Sequence, residues 1–431
     1  MGKSNTKKDR WLSTSIMFFF IIQSANSTLK SIFTELGDAV NSSISALSGI
    51  IILLILIKSL KYVFKRHPST VIRSYLLFIL IYSLSIIMNI ERGMPVNVLL
   101  KESMLWTMIW WLPMGLIIYS IYDSRILYQI MVKWSYLLSV ITLLSLIAYF
   151  NTLQSLPDGS GNYNMSFSYL LLLPLIIHLN EVFEGRYTKN VLWLVIEAIA
   201  ILVYGTRAAL LCIAVFMIFK VLFGGLSTRQ KTIVIFLSSI IVVAFVLNAK
   251  ILFADLESAG YSSRTLEMFT EGRVSTSEGR DMLRLYSISL IEERPLLGYG
   301  LGGDFAVLYE KAYGLSAKSG EFSSLTPHNG VLQLMMNFGV IIGSILSLAL
   351  ILSIFYIRKI KDKDAKTISI ILCSIYILPS LTVGDGIFIK PGIALYIYLI
   401  LNCYYSNKNK RKIYEYSKHQ TEGSQQQLVG A

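Results

Sequence analysis

The stretch ISALSGIIILLILIKSLKYVF, from Ile44 to Phe64, is 21 residues with no acidic side chain and with its two lysines confined to the C-terminal third. A bilayer core takes about 20 apolar residues of helix to cross. No soluble core element needs an apolar run of this length, so the stretch reads as a transmembrane helix. Similar runs recur almost to the end of the chain, and 54% of the 431 residues are hydrophobic while 15% are charged. Soluble domains carry about 25% charged residues. The fold class expected is therefore an all-α, polytopic integral membrane protein.

Taking apolar runs between charged breaks gives about twelve spans. They are Trp11–Gln23, Ile44–Phe64, Val71–Ile90, Ser103–Tyr122, Ile130–Phe150, Met165–Val182, Val191–Tyr204, Ala208–Phe223, Thr232–Ala249, Gly330–Ile357, Thr367–Val383 and Gly392–Tyr405. The first and seventh are short. The chain divides into a transmembrane part at 1–249, a large loop at 250–327, further spans at 328–405 and a basic tail at 406–431.

The formal net charge of +13 is not a nucleic-acid signature. The basic residues cluster in alternate loops, at Lys3–Arg10, Lys58–Arg66, Lys220–Lys231, Arg358–Lys366 and Lys408–Lys412, and Lys and Arg flanking a span mark its cytoplasmic side. Both termini are expected to be cytoplasmic and the large loop external. A connection of that length is expected to be functional. Within it, Met282, Leu283, Tyr286, Leu290 and Ile291 have helical spacing, predicting one or two short amphipathic helices over the membrane face. The N-terminus superficially fits a myristoylation pattern and a signal peptide, and it reads better as an uncleaved first span. Cys212, Cys373 and Cys403 lie in apolar segments, without disulfide or metal-site spacing.

Candidate chemistry gathers on the external side. Arg207 opens the eighth span, where its planar guanidinium suits a phosphate or carboxylate; snorkelling to the interface explains it equally. Arg280 stands on the loop helix with Arg284 one turn away on the same face. The two guanidiniums repel unless an anion joins them, and the plain alternative is pairing with Asp281, Glu292 or Glu293 on a solvated surface. His328, just before the tenth span, is the one histidine expected on that side and has the pKa range for base catalysis; an isolated histidine is more often inert. Asp362-Lys363-Asp364 has D-x-D spacing but sits in a basic cytoplasmic loop, as solvated charge. Glu197, an acid within the seventh span, is expected to pair with a lysine of another span.

These pieces come in a telling order: GTRAA at Gly205–Ala209, GRDMLRLYSISLIEERPLLGYGLGGDF at Gly279–Phe305, PHNG at Pro327–Gly330 and GVIIG at Gly339–Gly343. The pattern resembles the O-antigen ligase and O-antigen polymerase superfamily of bacterial membrane glycosyltransferases. The resemblance covers Tyr204–Gly343 by motif and implies a GT-C-like helical architecture in the bacterial cytoplasmic membrane, with the site facing outward. It implies a glycan donor on undecaprenyl diphosphate, with Arg207 and Arg280 on the diphosphate and His328 positioning or deprotonating the acceptor hydroxyl. It further implies substrate contacts from Arg284, Asn329, Gly298, Tyr299 and Gly300, with no metal and no cofactor. Arg284 replaces an aromatic residue common in relatives, so it is a third diphosphate contact or a neutral substitution. Lipid-linked oligosaccharide, membrane lipids and a chain-length regulator protein are the implied partners. A repeat-unit polymerase is favoured over a ligase acting on lipid A core. A lipid-linked glycan flippase, with Glu197 in a relay, is the other class, but no inverted repeat is visible.

The glycines at 298, 300 and 303 match G-x-G-x-x-G, but no strand precedes them and no βαβ unit surrounds them. They are expected to form a tight turn after Pro295, a hinge between Arg280 and His328 that shapes the acceptor side of the cleft.

Overall fold

The computed structural model describes residues 3–33, 37–90, 104–153, 165–204, 207–228, 230–232, 235, 278–314, 325–382, 387–388 and 390–407. Among these the structure is all helix and turn, without a strand. The helices are α1 (Lys3–Ile32), α2 (Asp38–Arg66), α3 (Pro68–Ile90), α4 (Thr107–Tyr119), α5 (Ser124–Leu153), α6 (Met165–Phe183), α7 (Tyr187–Tyr204) and α8 (Arg207–Phe223). They continue with α9 (Glu278–Glu293), α10 (Gly303–Tyr313), α11 (Gly330–Tyr356), α12 (Lys363–Leu372, prolonged through Thr382) and α13 (391–407).

Among the described residues, six helices are long and apolar enough to cross a membrane: α1, α2, α3, α5, α11 and α12 with its continuation. Thr107–Tyr119, Phe167–Phe183 and Ala208–Phe223 are apolar but shorter. Most of the expected ninth span lies outside the described residues, as do 250–277 and 315–324 of the large loop and the tail beyond residue 407. The first span is not short. Helix α1 runs 30 residues, because polar residues past Gln23 find partners: Ser24 bonds Thr142 at 2.7 Å and Thr28 donates to the Ile141 carbonyl at 2.9 Å. Such interhelical bonds contribute about 0.6 kcal/mol on average and under ~2 kcal/mol at most in a bilayer, enough to fix the register of α1 on α5. The α1–α2 seam is tied likewise, Trp11 to Ser59 at 3.1 Å and Ser59 to Ser15 at 2.8 Å.

Two helices contain one π turn each, Thr107–Trp111 and Cys373–Ile377. Each closely precedes a proline, Pro113 or Pro379, whose ring cannot donate to the ladder. The wider turn absorbs the interruption without breaking the helix. Helices α2 and α3 expose Leu47, Leu54, Ile57, Leu76, Leu80 and Ile87. That apolar face is what lipid would cover.

The basic loops converge at one end of the bundle. Arg66 pairs with Asp9 at 2.5 Å and donates to the Ser120 carbonyl, while Glu184 accepts from both Lys220, at 2.9 Å, and Lys363. Asp362 caps α12 through Ala365 N–H at 2.7 Å and accepts from Ser124 at 2.7 Å, so the D-x-D aspartate serves as a helix cap. At the opposite end α9 and α10 lie on α11 over a separate apolar cluster of Leu290, Ile291, Tyr299, Ala306, Val307, Leu308 and Met336. One or two loop helices were expected from the sequence, and the described residues of the loop hold these two.

Candidate functional site

Proline 295 ends α9, and the next five residues fold into a turn docked on a break in α11. Gly339 has φ 75° and ψ 172° inside that helix, which frees carbonyls on the preceding turn. Met336 O accepts from Tyr299 N–H at 2.7 Å, Asn337 O accepts from Gly300 N–H at 2.9 Å, and Val340 N–H donates to Pro295 O at 2.7 Å. A Cβ on Gly339 would overlap the Leu296 carbonyl, and one on Gly298 would reach within 2.7 Å of the Gly339 nitrogen. Gly298, Gly300 and Gly302 all have positive φ, a conformation that costs other residues about 1–2 kcal/mol each. The glycines thus clasp the turn to α11.

Tyr299 is fully buried in the clasp, its hydroxyl donating to Leu290 O at 3.1 Å and lying 3.3 Å from Glu293 Oε2. Gly300 rests on Ser85 of α3, whose hydroxyl accepts from Leu301 N–H at 2.9 Å. The clasp sets where α9 points and how α11 begins.

That beginning is the PHNG turn. Asn329 Oδ1 accepts from Val331 N–H at 2.9 Å and from Leu332 N–H at 3.1 Å, a two-donor N-cap. Gly330 packs so tightly on the Ser380 carbonyl that a Cβ there would overlap it. To meet both demands the chain turns at His328 with φ 49°, the one non-glycine with positive φ among the described residues. Strain of this kind gathers at functional sites. His328 is half-buried; the other described histidines are His67, against Tyr119 and Tyr122 at the basic end, and His178, inside the bundle.

On the first turn of α9 Arg280 is half-buried. Its acidic neighbours are engaged elsewhere: Asp281 with Arg284 at 3.2 Å, and Glu293 with Lys311 at 2.8 Å. Arg280 itself makes no ion pair or hydrogen bond among the described residues. Arg284, half-buried as well, is the paired one of the two. Arg207 is the first residue of α8, at the same end of the bundle as the start of α11.

A cavity of about 540 Å³ is lined from α1, α5, α6, the continuation of α12, and α13 with the residue before it. Its floor is Phe20, Leu138, Leu173 and Ile375; its polar lining includes Gln23, Asn26, Ser27, Ser380 and Lys390. Ser380, through its carbonyl, is the residue on which Gly330 rests, so the cavity wall abuts the turn that holds His328. Lys390 Nζ stands 5.1 Å from the centre of the Tyr169 ring and within electrostatic reach of Cys212 on α8. Cys212 is five residues, about 7.5 Å along the helix, from Arg207. Sequence reasoning passed over Lys390. Its signal was a cation beside Pro391, between apolar runs and away from every basic cluster.

Two other buried polar groups need placing. Glu197 pairs with His178 Nδ1 at 3.0 Å and accepts from Ser139, while Ser135 lies 3.0 Å from His178 Nε2. Its partner is a histidine of α6 where a lysine was expected: His178 lies in the bundle interior on α6, packed beside α5 and α7. This closed network is fully satisfied. Asp304, also missed, is 1% exposed on the first turn of α10, with Gln333 donating to its Oδ2 at 3.0 Å. Burial pushes its carboxyl up to about 7.

Residues 191–346 match the family model described as O-antigen ligase. This segment runs from α7 into α11, contains Arg207, Arg280 and His328, and carries the domain of the O-antigen ligase and polymerase superfamily. The match covers 156 of the 431 residues and supports a membrane enzyme of the glycosyltransferase type. A search of curated proteins finds no match to the chain.

Proposed function

We propose, from the superfamily domain at residues 191–346, that this protein is a polysaccharide polymerase. It would transfer a glycan from an undecaprenyl diphosphate donor to a hydroxyl of a second lipid-linked repeat unit at the outer face of the cytoplasmic membrane. The observation that carries the reading is that one matched segment holds all three candidate residues, with Arg280 making no ion pair among the described residues and His328 on a strained turn.

In this mechanism the acceptor oxygen attacks the anomeric carbon in line as the bond to the diphosphate oxygen breaks, inverting the centre. The hydroxyl proton passes to His328, and the electron pair leaves with the diphosphate. Negative charge grows on that leaving group, where guanidiniums stabilise the transition state more than the ground state. Arg207 and Arg280 supply them.

Reconstitution with one lipid-linked repeat unit as sole substrate tests the reading: a ladder of products means polymerase. Products formed only when lipid A core is added mean ligase. Arg280→Ala and His328→Ala should each lower turnover by about 10²–10³-fold, while Arg284→Ala, which loses an exposed pair contributing at most ~1 kcal/mol, stays near the unaltered protein. Full-length polymer from both of the first two variants would refute the assignment.

A further inference from the structure

We infer that the 540 Å³ cavity is a sugar-binding subsite, holding the glycan unit whose hydroxyl is presented to His328. The inference rests on the polymerase reading. Three observations carry it.

The first is hydrogen-bonding capacity. Along α1, Ser24, Thr28 and Ser31 are all engaged within the protein, to Thr142, the Ile141 carbonyl and the Thr28 carbonyl. Gln23, Asn26 and Ser27 alternate with them, line the cavity, and make no side-chain hydrogen bond among the described residues. Their side-chain amide and hydroxyl groups are therefore available to pair with the hydroxyls of a ligand in the cavity.

The second is the aromatic wall. Phe20 and Tyr376 lie 6.5 Å apart, stacked, and the Tyr376 ring faces Gly392 so closely that no Cβ fits there. Tyr169 faces them from α6, under the Lys390 ammonium. Aromatic faces beside amides and hydroxyls suit a pyranose ring, which has apolar C–H faces and a polar rim. The volume lies within the usual range of ligand sites, about 300–1,000 Å³.

The third is location. Ser380 of the wall is in contact with Gly330, two residues from His328, so the wall and the turn that carries the proposed base are packed together. All the lining residues lie outside residues 191–346. Within the polymerase reading, reaction chemistry belongs to the matched segment and glycan choice to this cavity.

The test compares two probes on the full-length protein in nanodiscs: undecaprenyl diphosphate, and the lipid-linked repeat unit extracted from the source cells. A Gln23→Ala/Asn26→Ala double variant and, separately, Tyr169→Ala should weaken binding of the glycosylated lipid by at least about tenfold, as expected from losing one or two hydrogen bonds to a ligand. Their affinity for bare undecaprenyl diphosphate should be unchanged, which also shows that the variants are folded. Equal loss for both probes would assign the cavity to the lipid head and overturn the inference, as would no loss for either. Transfer activity assayed alongside separates the two readings: an unaltered protein that binds the glycolipid through these residues but transfers nothing retains the subsite and loses the polymerase.

Discussion

Asp304 lies where the loop helices meet the bundle, and its surroundings favour the neutral acid. Its Oδ1 and those of Asn89 and Asn337 are buried without a hydrogen-bond partner among the described residues. Asn89 packs beside Gly303, and Asn337 follows Gln333 by one turn of α11. A proton on Asp304 adds a donor to a group of acceptors. With its folded pKa raised to about 7, the native state binds more protons than the unfolded chain between about pH 4 and 7. Stability from this group is therefore greatest below pH 4 and falls as pH rises to about 7, with no further loss beyond. Asp304→Asn, which carries its own N–H donor, should remove that slope and raise Tm at pH 8, by an amount corresponding to at most ~4 kcal/mol. Thermal unfolding of both proteins from pH 4 to 8 checks this; parallel curves would show that Asp304 does not titrate in this window. At this scale the sequence was only partly legible. Arg207, Arg280 and His328 stood out by charge type and place, whereas Asp304 and Lys390 gained meaning only through neighbours brought from distant helices.

One scale up, the loop and α11 act as a unit because each supplies what the other lacks. The break at Gly339 leaves the carbonyls of Met336 and Asn337 free, and the turn at 298–300 brings the N–H groups that answer them. The sequence showed the two glycine motifs as separate marks, with a hinge expected only of Gly298, Gly300 and Gly303. Their pairing needed the third dimension, because the residues that meet are about 40 apart. Gly339→Ala should cost at least ~2 kcal/mol, from left-handed strain together with overlap on a backbone carbonyl that cannot move aside. It should lower Tm by several degrees and displace Arg280 relative to His328, reducing transfer as well. Gly49→Ala is the control: Gly49 is helical, with no atom within 4 Å of an added Cβ, so the change should be neutral or slightly stabilising. Equal Tm values for the two variants would mean that the clasp does not hold the loop. Element type was easily read, since unbroken apolar runs leave few alternatives to helix. Element length was not, because the polar continuation of α1 depends on partners in α5.

For the whole molecule, the two ends of the bundle differ in chemistry, and the difference predicts an orientation. Glu184, Asp9 and Asp362 gather Lys220, Lys363, Arg66 and Ser124 at one end, joining loops that the sequence had already placed on one side by their basic residues. His328, the clasp and the cavity mouth lie at the other. Helices α1 and α13 both have their outer termini at the basic end: Arg66 donates to the Asn5 carbonyl, and Asn402 donates to the carbonyls of Tyr119 and Ile121. Lys and Arg are retained in the cytoplasm during insertion, so both termini should be cytoplasmic and the site external, where a lipid-linked donor is the available activated sugar. Green fluorescent protein fused after Asn407 should therefore fluoresce, and alkaline phosphatase inserted at Gly314, the exposed left-handed cap of α10, should be active. The reverse pair, a dark fusion at 407 with an inactive phosphatase at 314, would put the arginines and His328 in the cytoplasm. There nucleotide-activated sugars are the usual donors, and the case for a diphosphate lipid would fall with the orientation.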